Sequence, residues 1–150
     1  MIAERAAAED FVRAFAEGWQ RPKPDGFLDH FRPRFHPDVL LVQPTLPPAR
    51  GRAEAESRFR ELFTLLPDYV VTVDDWAVAG DVVWIGVTHR TTVGRRVASW
   101  RGVDRVVLED GLLRERVAFF DSIATIPPAL LAPRTWPTLL RWSLASARAG

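Results

Sequence analysis

From residue 69 to 120 apolar and polar side chains alternate with a period of two, and the alternation is punctuated by Gly80-Asp81, Gly94-Arg95 and Asp110-Gly111. Gly-Xaa and Asp-Gly are favoured two-residue hairpin turns. Such a stretch predicts strands over 69–78, 82–93, 97–109 and 112–120, joined as an antiparallel meander. That meander needs a cover for its apolar face, and the first half of the chain must supply it.

The first half is built for that task. Ala7, Phe11, Phe15 and Trp19 recur every four residues and predict an amphipathic helix over 3–19, stopped by Pro22 and Pro24. A short helix follows over 25–31, with Asp25 as its cap. Residues 39–43, between Pro37 and Pro44, read as a strand, and Pro47-Pro48 as a loop. A second long helix over 52–66 carries the stripe Ala55, Phe59, Leu62, Phe63 and Leu66 and ends at Pro67-Asp68. Helix, helix, strand, helix, meander is an α+β order, with helices on one face of a mainly antiparallel sheet.

At 150 residues the chain is large enough for one domain with a real core. Its boundaries are expected at 1–123, with 124–150 as a tail rich in Pro and Trp that packs on the domain or on a dimer mate. The absence of Cys excludes disulfides, thiolate nucleophiles and Cys-based zinc sites. A net charge of +1 with dispersed Arg residues gives no footprint for nucleic acid. Glu4, Arg5, Glu9 and Asp10 are foreign to a secretory signal, and no uncharged apolar run reaches membrane-spanning length. The expectation is a soluble, cytoplasmic protein. Neither a phosphate loop nor a Ser-nucleophile motif is present, His36-Pro37-Asp38 assembles no convincing metal set, and no cofactor is expected.

Two-residue turns fix a register. Pairing Val93 with Arg96 sets Ile85 opposite Asp104, Val87 opposite Gly102 and His89 opposite Trp100. Pairing Glu109 with Leu112 sets Asp104 opposite Val117, Gly102 opposite Phe119 and Trp100 opposite Asp121. The inner wall would then carry Ile85, Val87, His89, Trp100, Gly102, Asp104, Val117, Phe119 and Asp121. The outer face would carry Trp84, Arg90, Ser99, Arg101, Arg105, Arg114 and Arg116. Ionisable groups in an apolar wall are candidates for acid–base work. Asp121 is the expected acid–base, assisted by His89. With no cation on that wall, Asp104 is expected protonated, holding a ligand oxygen together with Gln43. Phe15, Trp19, Phe63, Val87, Trp100 and Phe119 complete the candidate pocket, although the helix aromatics suit a core better than a substrate contact.

Three segments carry a resemblance: Phe35-His36-Pro37-Asp38-Val39 with Gln43-Pro44, Gly102-Val103-Asp104, and Glu109-Asp110-Gly111-Leu112 with Phe119-Phe120-Asp121. With the element order, they resemble the nuclear transport factor 2-like superfamily, most closely its SnoaL-like polyketide-cyclase branch. The resemblance implies a cone in which a curved sheet wraps around a long helix, with a pocket at the wide end. It also implies cofactor-independent chemistry on a hydrophobic cyclic molecule, by a cyclase, isomerase or hydratase-like enzyme. Ketosteroid isomerase chemistry is disfavoured, because Gln43 stands where that family has its Asp base and Phe15 where it has its Tyr. Limonene-type epoxide hydrolysis is disfavoured as well, because Trp84-Ile85-Gly86-Val87 lacks the expected Arg and Asp. A non-catalytic ligand-binding domain and an interaction domain using the Arg-rich face are the rivals. A homodimer through the exposed sheet face is expected.

Overall fold

The computed structural model describes residues 2–44 and 46–121, and in the tail 134, 136, 137, 140, 141 and 144. The expected tail arrangement therefore lies outside the described residues. Helix α1 (Ile2–Trp19) leads into α2 (Asp25–Phe31) and a single 3-10 turn at Arg32–Arg34. Strand β1 (Phe35–Gln43), strand β2 (Leu46–Arg50) and helix α3 (Gly51–Leu65) follow. The meander β3 (Val70–Ala79), β4 (Val82–Val93), β5 (Arg96–Glu109) and β6 (Leu112–Phe120) completes the domain. One sheet results, in the order β2-β1-β6-β5-β4-β3, with β1 and β6 parallel and all other neighbours antiparallel.

The Pro47-Pro48 segment corrects its expected reading as a loop. It lies in β2 and pairs with β1 at Leu41↔Ala49 and Gln43↔Leu46. Proline lacks the amide hydrogen a central strand must donate, but at the edge of a sheet that loss is tolerated.

Helices α1, α2 and α3 contribute to one core, with α1 lying against β3 and α3 against β1 and β2. Trp19 is its hub. Its indole has ring neighbours in Phe15, Phe27, Phe31, Phe59, Phe63 and Tyr69, with centroids 4.8–6.5 Å away. Such edge-to-face and tilted pairs add to simple burial. The four-residue spacing on α1 thus does what amphipathic spacing predicts, and it packs the space beneath the sheet with rings.

The β4–β5 register is the expected one, with Ile85↔Asp104, Val87↔Gly102 and His89↔Trp100. The β5–β6 register is not. Pairing starts at Glu109↔Leu112 and Leu108↔Leu113, then slips by one residue to Val107↔Glu115. Arg114 is the extra residue of this bulge. A one-residue slip exchanges the faces of everything beyond it. Asp104 therefore faces Ala118 and Gly102 faces Phe120.

Candidate functional site

The bulge reassigns the inner wall. Arg116, Ala118 and Phe120 take the inward positions of β6. Val117 and Phe119 turn outward, and Phe119 is 51% exposed, with its ring 6.5 Å from Trp84 on the outer face. Asp121, one residue beyond the strand, is exposed and does not face Trp100 as expected. Arg116, expected outside, is only 5% exposed.

Arg116 changes the chemistry of Asp104. Its Nε donates to Asp104 Oδ2 at 2.7 Å, and Asp104 has no exposed surface at all. The guanidinium also lies 5.9 Å from the Phe15 ring centroid, a cation–π contact from the opposite layer. The expectation of an unpaired, protonated Asp104 is thereby corrected. Burial pushes the carboxyl above its ordinary value, while the charge and hydrogen bond of Arg116 oppose that rise. Arginine keeps its proton in proteins, so a neutral Asp104 would leave a buried cation without a counter-charge. The Arg116 charge thus favours the carboxylate form, while burial leaves that carboxylate more basic than a solvated one. Arg116 engages one oxygen; Asp104 Oδ1 is buried without a hydrogen-bond partner among the described residues.

Two residues along β5, Gly102 lies opposite Val87, and His89 reaches across it. A Cβ at Gly102 would come within 2.9 Å of His89 Nε2 and 2.8 Å of the Phe119 carbonyl oxygen, so glycine is what admits the imidazole here. His89 is 1% exposed. Its Nδ1 meets the Tyr69 hydroxyl at 2.7 Å, and its ring stacks on Trp100 with centroids 5.2 Å apart. Burial first, and the Arg116 charge second, lower the His89 pKa to about 3, so the ring is neutral. Burial drives the Tyr69 phenol well above its ordinary value. His89 Nε2 and Trp100 Nε1 are both buried without a partner among the described residues. Among the described residues, half-buried Trp100 and Phe120 lie over this group.

The structure brings His89, Trp100 and Asp104 to one wall, with Val87 beside them. Phe15, Trp19 and Phe63 lie in the aromatic core. Gln43 is elsewhere, lining a cleft of about 10 Å³ with Leu41, Arg58, Phe59, Leu62 and Arg116, room for roughly one water. Tyr69 and Arg116 were missed by sequence reasoning. The two-residue turn at Gly80-Asp81 gave no signal for Tyr69: continued unbroken it would set Thr72 opposite His89, and it is the extra residue Asp74 that shifts the pairing to Val71↔His89 and brings Tyr69 to the His89 face. The other histidines are occupied structurally: His30 Nε2 lies 2.6 Å from the Ala14 carbonyl oxygen, and His36 Nδ1 accepts the Asp38 amide. Among the described residues, no group of three His, Asp or Glu side chains could hold a metal ion. No helix among them is long and apolar enough to cross a membrane.

Known structures share this architecture. A protein of Jannaschia sp. CCS1, provisionally assigned as a SnoaL-like polyketide cyclase, superposes with a TM-score of 0.70 at 23% identity, covering 82% of this chain and 90% of its own. IdmH of Streptomyces antibioticus, also provisionally assigned as a polyketide cyclase, gives 0.68 at 20% identity, covering 81% and 96%. A limonene epoxide hydrolase-like enzyme of M. tuberculosis gives 0.68 at 15% identity, covering 89% and 96%. At such identities the likeness speaks for the fold, which is nuclear transport factor 2-like. No curated protein matches the sequence. The sequence profile of the SnoaL-like domain does match, over residues 12–116, and the chain belongs to that family.

Proposed function

We propose that the inner wall around Gly102 binds a hydrophobic cyclic molecule bearing a ketone or phenolic oxygen and catalyses proton transfer on it without a cofactor. One observation carries this reading: three buried polar atoms on one stretch of wall, Asp104 Oδ1, His89 Nε2 and Trp100 Nε1, lack partners among the described residues. Buried polar atoms in folded proteins are nearly always satisfied, and an orphan costs on the order of 1–3 kcal/mol. A cluster of them beside Val87 and Phe120 suits a ligand that is apolar in its rings and polar at its edge.

The roles follow from the charges. Asp104, anchored through Oδ2, has Oδ1 available to take a proton from carbon next to a carbonyl. The electron pair moves onto the carbonyl oxygen, and the N–H groups of the opposite end stabilise the enolate. Returning the proton to another atom completes an isomerisation or a ring closure. Two residues along β5 span about 7 Å, the scale of one or two fused rings. Among the described residues, Trp100 and Phe120 are the side chains that must yield for entry. The acid–base role expected of Asp121 passes to Asp104.

The test is proton–deuterium exchange at the α-carbon of 2-tetralone, followed by NMR in D2O. The expected outcome is exchange accelerated by the protein and lowered about 100-fold or more by Asp104→Asn. Exchange equal to the buffer rate, with the ketone shown to bind, would favour a second reading as a non-catalytic ligand-binding domain. The neutralisation of Asp104 by Arg116 is the observation on that side.

A further inference from the structure

We propose that Tyr69 is a positioning residue that fixes His89 as the Nε2–H tautomer, making the imidazole a neutral donor to a ligand oxygen instead of a base. Its consequence for ligand choice rests on the wall being a ligand site; the tautomer itself rests on the contacts within the free protein.

Tyr69 sits at the turn between α3 and β3, where its amide donates to the Leu66 carbonyl at 3.1 Å. The side chain is buried between Trp19, 5.5 Å away and nearly perpendicular, and Trp100, 6.0 Å away and nearly parallel. Its hydroxyl has few places to turn. The bond to His89 Nδ1 at 2.7 Å can be made in two ways. If Nδ1 carried the proton, it would donate to the phenol oxygen. The phenolic hydrogen would then be buried without an acceptor among the described contacts, and Nε2 would be a bare lone pair without a donor. If the phenol donates to Nδ1, the only group left unmatched is Nε2–H. One orphan costs less than two. Burial agrees, since it keeps the phenol protonated and the imidazole neutral; Arg116 opposes any cation on His89, and although it also favours a phenolate on Tyr69, burial outweighs that and Asp104 opposes it.

The tautomer decides what that end of the wall recognises. His89 Nε2–H and the Trp100 indole N–H are both donors, and Asp104 Oδ1, toward the other end, is an acceptor. A ketone, quinone or phenolate oxygen fits between the two donors. An aryl amine, whose nitrogen lone pair is delocalised into the ring and accepts poorly while its hydrogens face the two donors, does not.

The experiment is long-range ¹H–¹⁵N NMR of histidine-labelled protein without ligand, near neutral pH. The expected spectrum shows His89 neutral and protonated at Nε2, and Tyr69→Phe moves it to a mixed or Nδ1-protonated form while other amide signals hold their positions. Wild-type His89 protonated at Nδ1 would overturn the proposal, as would an unchanged tautomer in Tyr69→Phe. Should the variant not fold, the wild-type spectrum decides by itself. A titration with 1-hydroxy-2-acetonaphthone then addresses the ligand reading separately. About tenfold weaker binding by Tyr69→Phe is expected, with recovery in His89→Gln, whose side-chain amide supplies a fixed N–H. No binding to any of these proteins would sink the ligand-site reading and leave the tautomer result standing.

Discussion

Gly102 and the Asp104–Arg116 pair show how much of this wall hangs on single side chains. Gly102→Ala sets a methyl against a carbonyl oxygen of the neighbouring strand, which cannot step aside, and against the imidazole. Overpacking of this kind costs about 1–3 kcal/mol, so a lowered urea midpoint with an unchanged slope is expected. Removing one partner of the buried ion pair is worse. Arg116→Met leaves Asp104 charged and alone, and a loss of about 3–5 kcal/mol is expected by chemical denaturation. The double change Asp104→Leu with Arg116→Met should recover most of that loss, since an apolar pair can replace a buried ionic one. It should recover none of the exchange activity on 2-tetralone, which separates the pair's structural part from its proposed chemistry.

At the scale of elements, the sequence was most legible where turn chemistry and periodicity agreed. The hairpin at Gly94-Arg95 has its glycine at φ 64°, and the whole β4–β5 register follows from it. The hairpin at Asp110-Gly111, with φ of 52° and 75°, is equally regular, yet the faces it predicts fail three residues later. The reason is local. Adjacent Phe119 and Phe120 offer an aromatic to either face, and Arg114 and Arg116 give no preference between water and a buried partner. Nothing in the order of residues marks Arg114 as the extra one. What reveals it is tertiary: Asp104 in mid-strand needs a cation, and only the slipped register delivers one. Strand β4 carries a pH prediction of its own. Unfolded, His89 takes up a proton below about pH 6.5; folded, it resists until about pH 3. Stability tied to His89 is therefore complete above pH 6.5 and is lost progressively as pH falls toward 3. Urea midpoints measured across that window should fall with pH in the wild type, and His89→Gln should flatten the fall.

Across the whole molecule, the order of helices and strands placed the chain in its fold, because that order depends on local signals. The site depended on long-range register and so came through only in part. The outer face gains a different character from the bulge. Trp84, Val103 and Phe119 are 37%, 40% and 51% exposed, while Arg101 and Arg105 pair with Asp74 and Glu115 of the same chain. An apolar centre ringed by satisfied charges is what a subunit contact requires. We propose a homodimer through this face: light scattering at micromolar concentration should give twice the chain mass, and Phe119→Arg should give the monomer. A wild-type monomer would remove the dimer from the account and leave the inner wall untouched.

That wall is the central claim, and indole N–H resonances report on it directly. In a titration with 1-hydroxy-2-acetonaphthone, the account predicts a saturable shift of the Trp100 indole N–H, with the outer Trp84 indole unmoved. Shifts at Trp84 alone, or none that saturate, would contradict it.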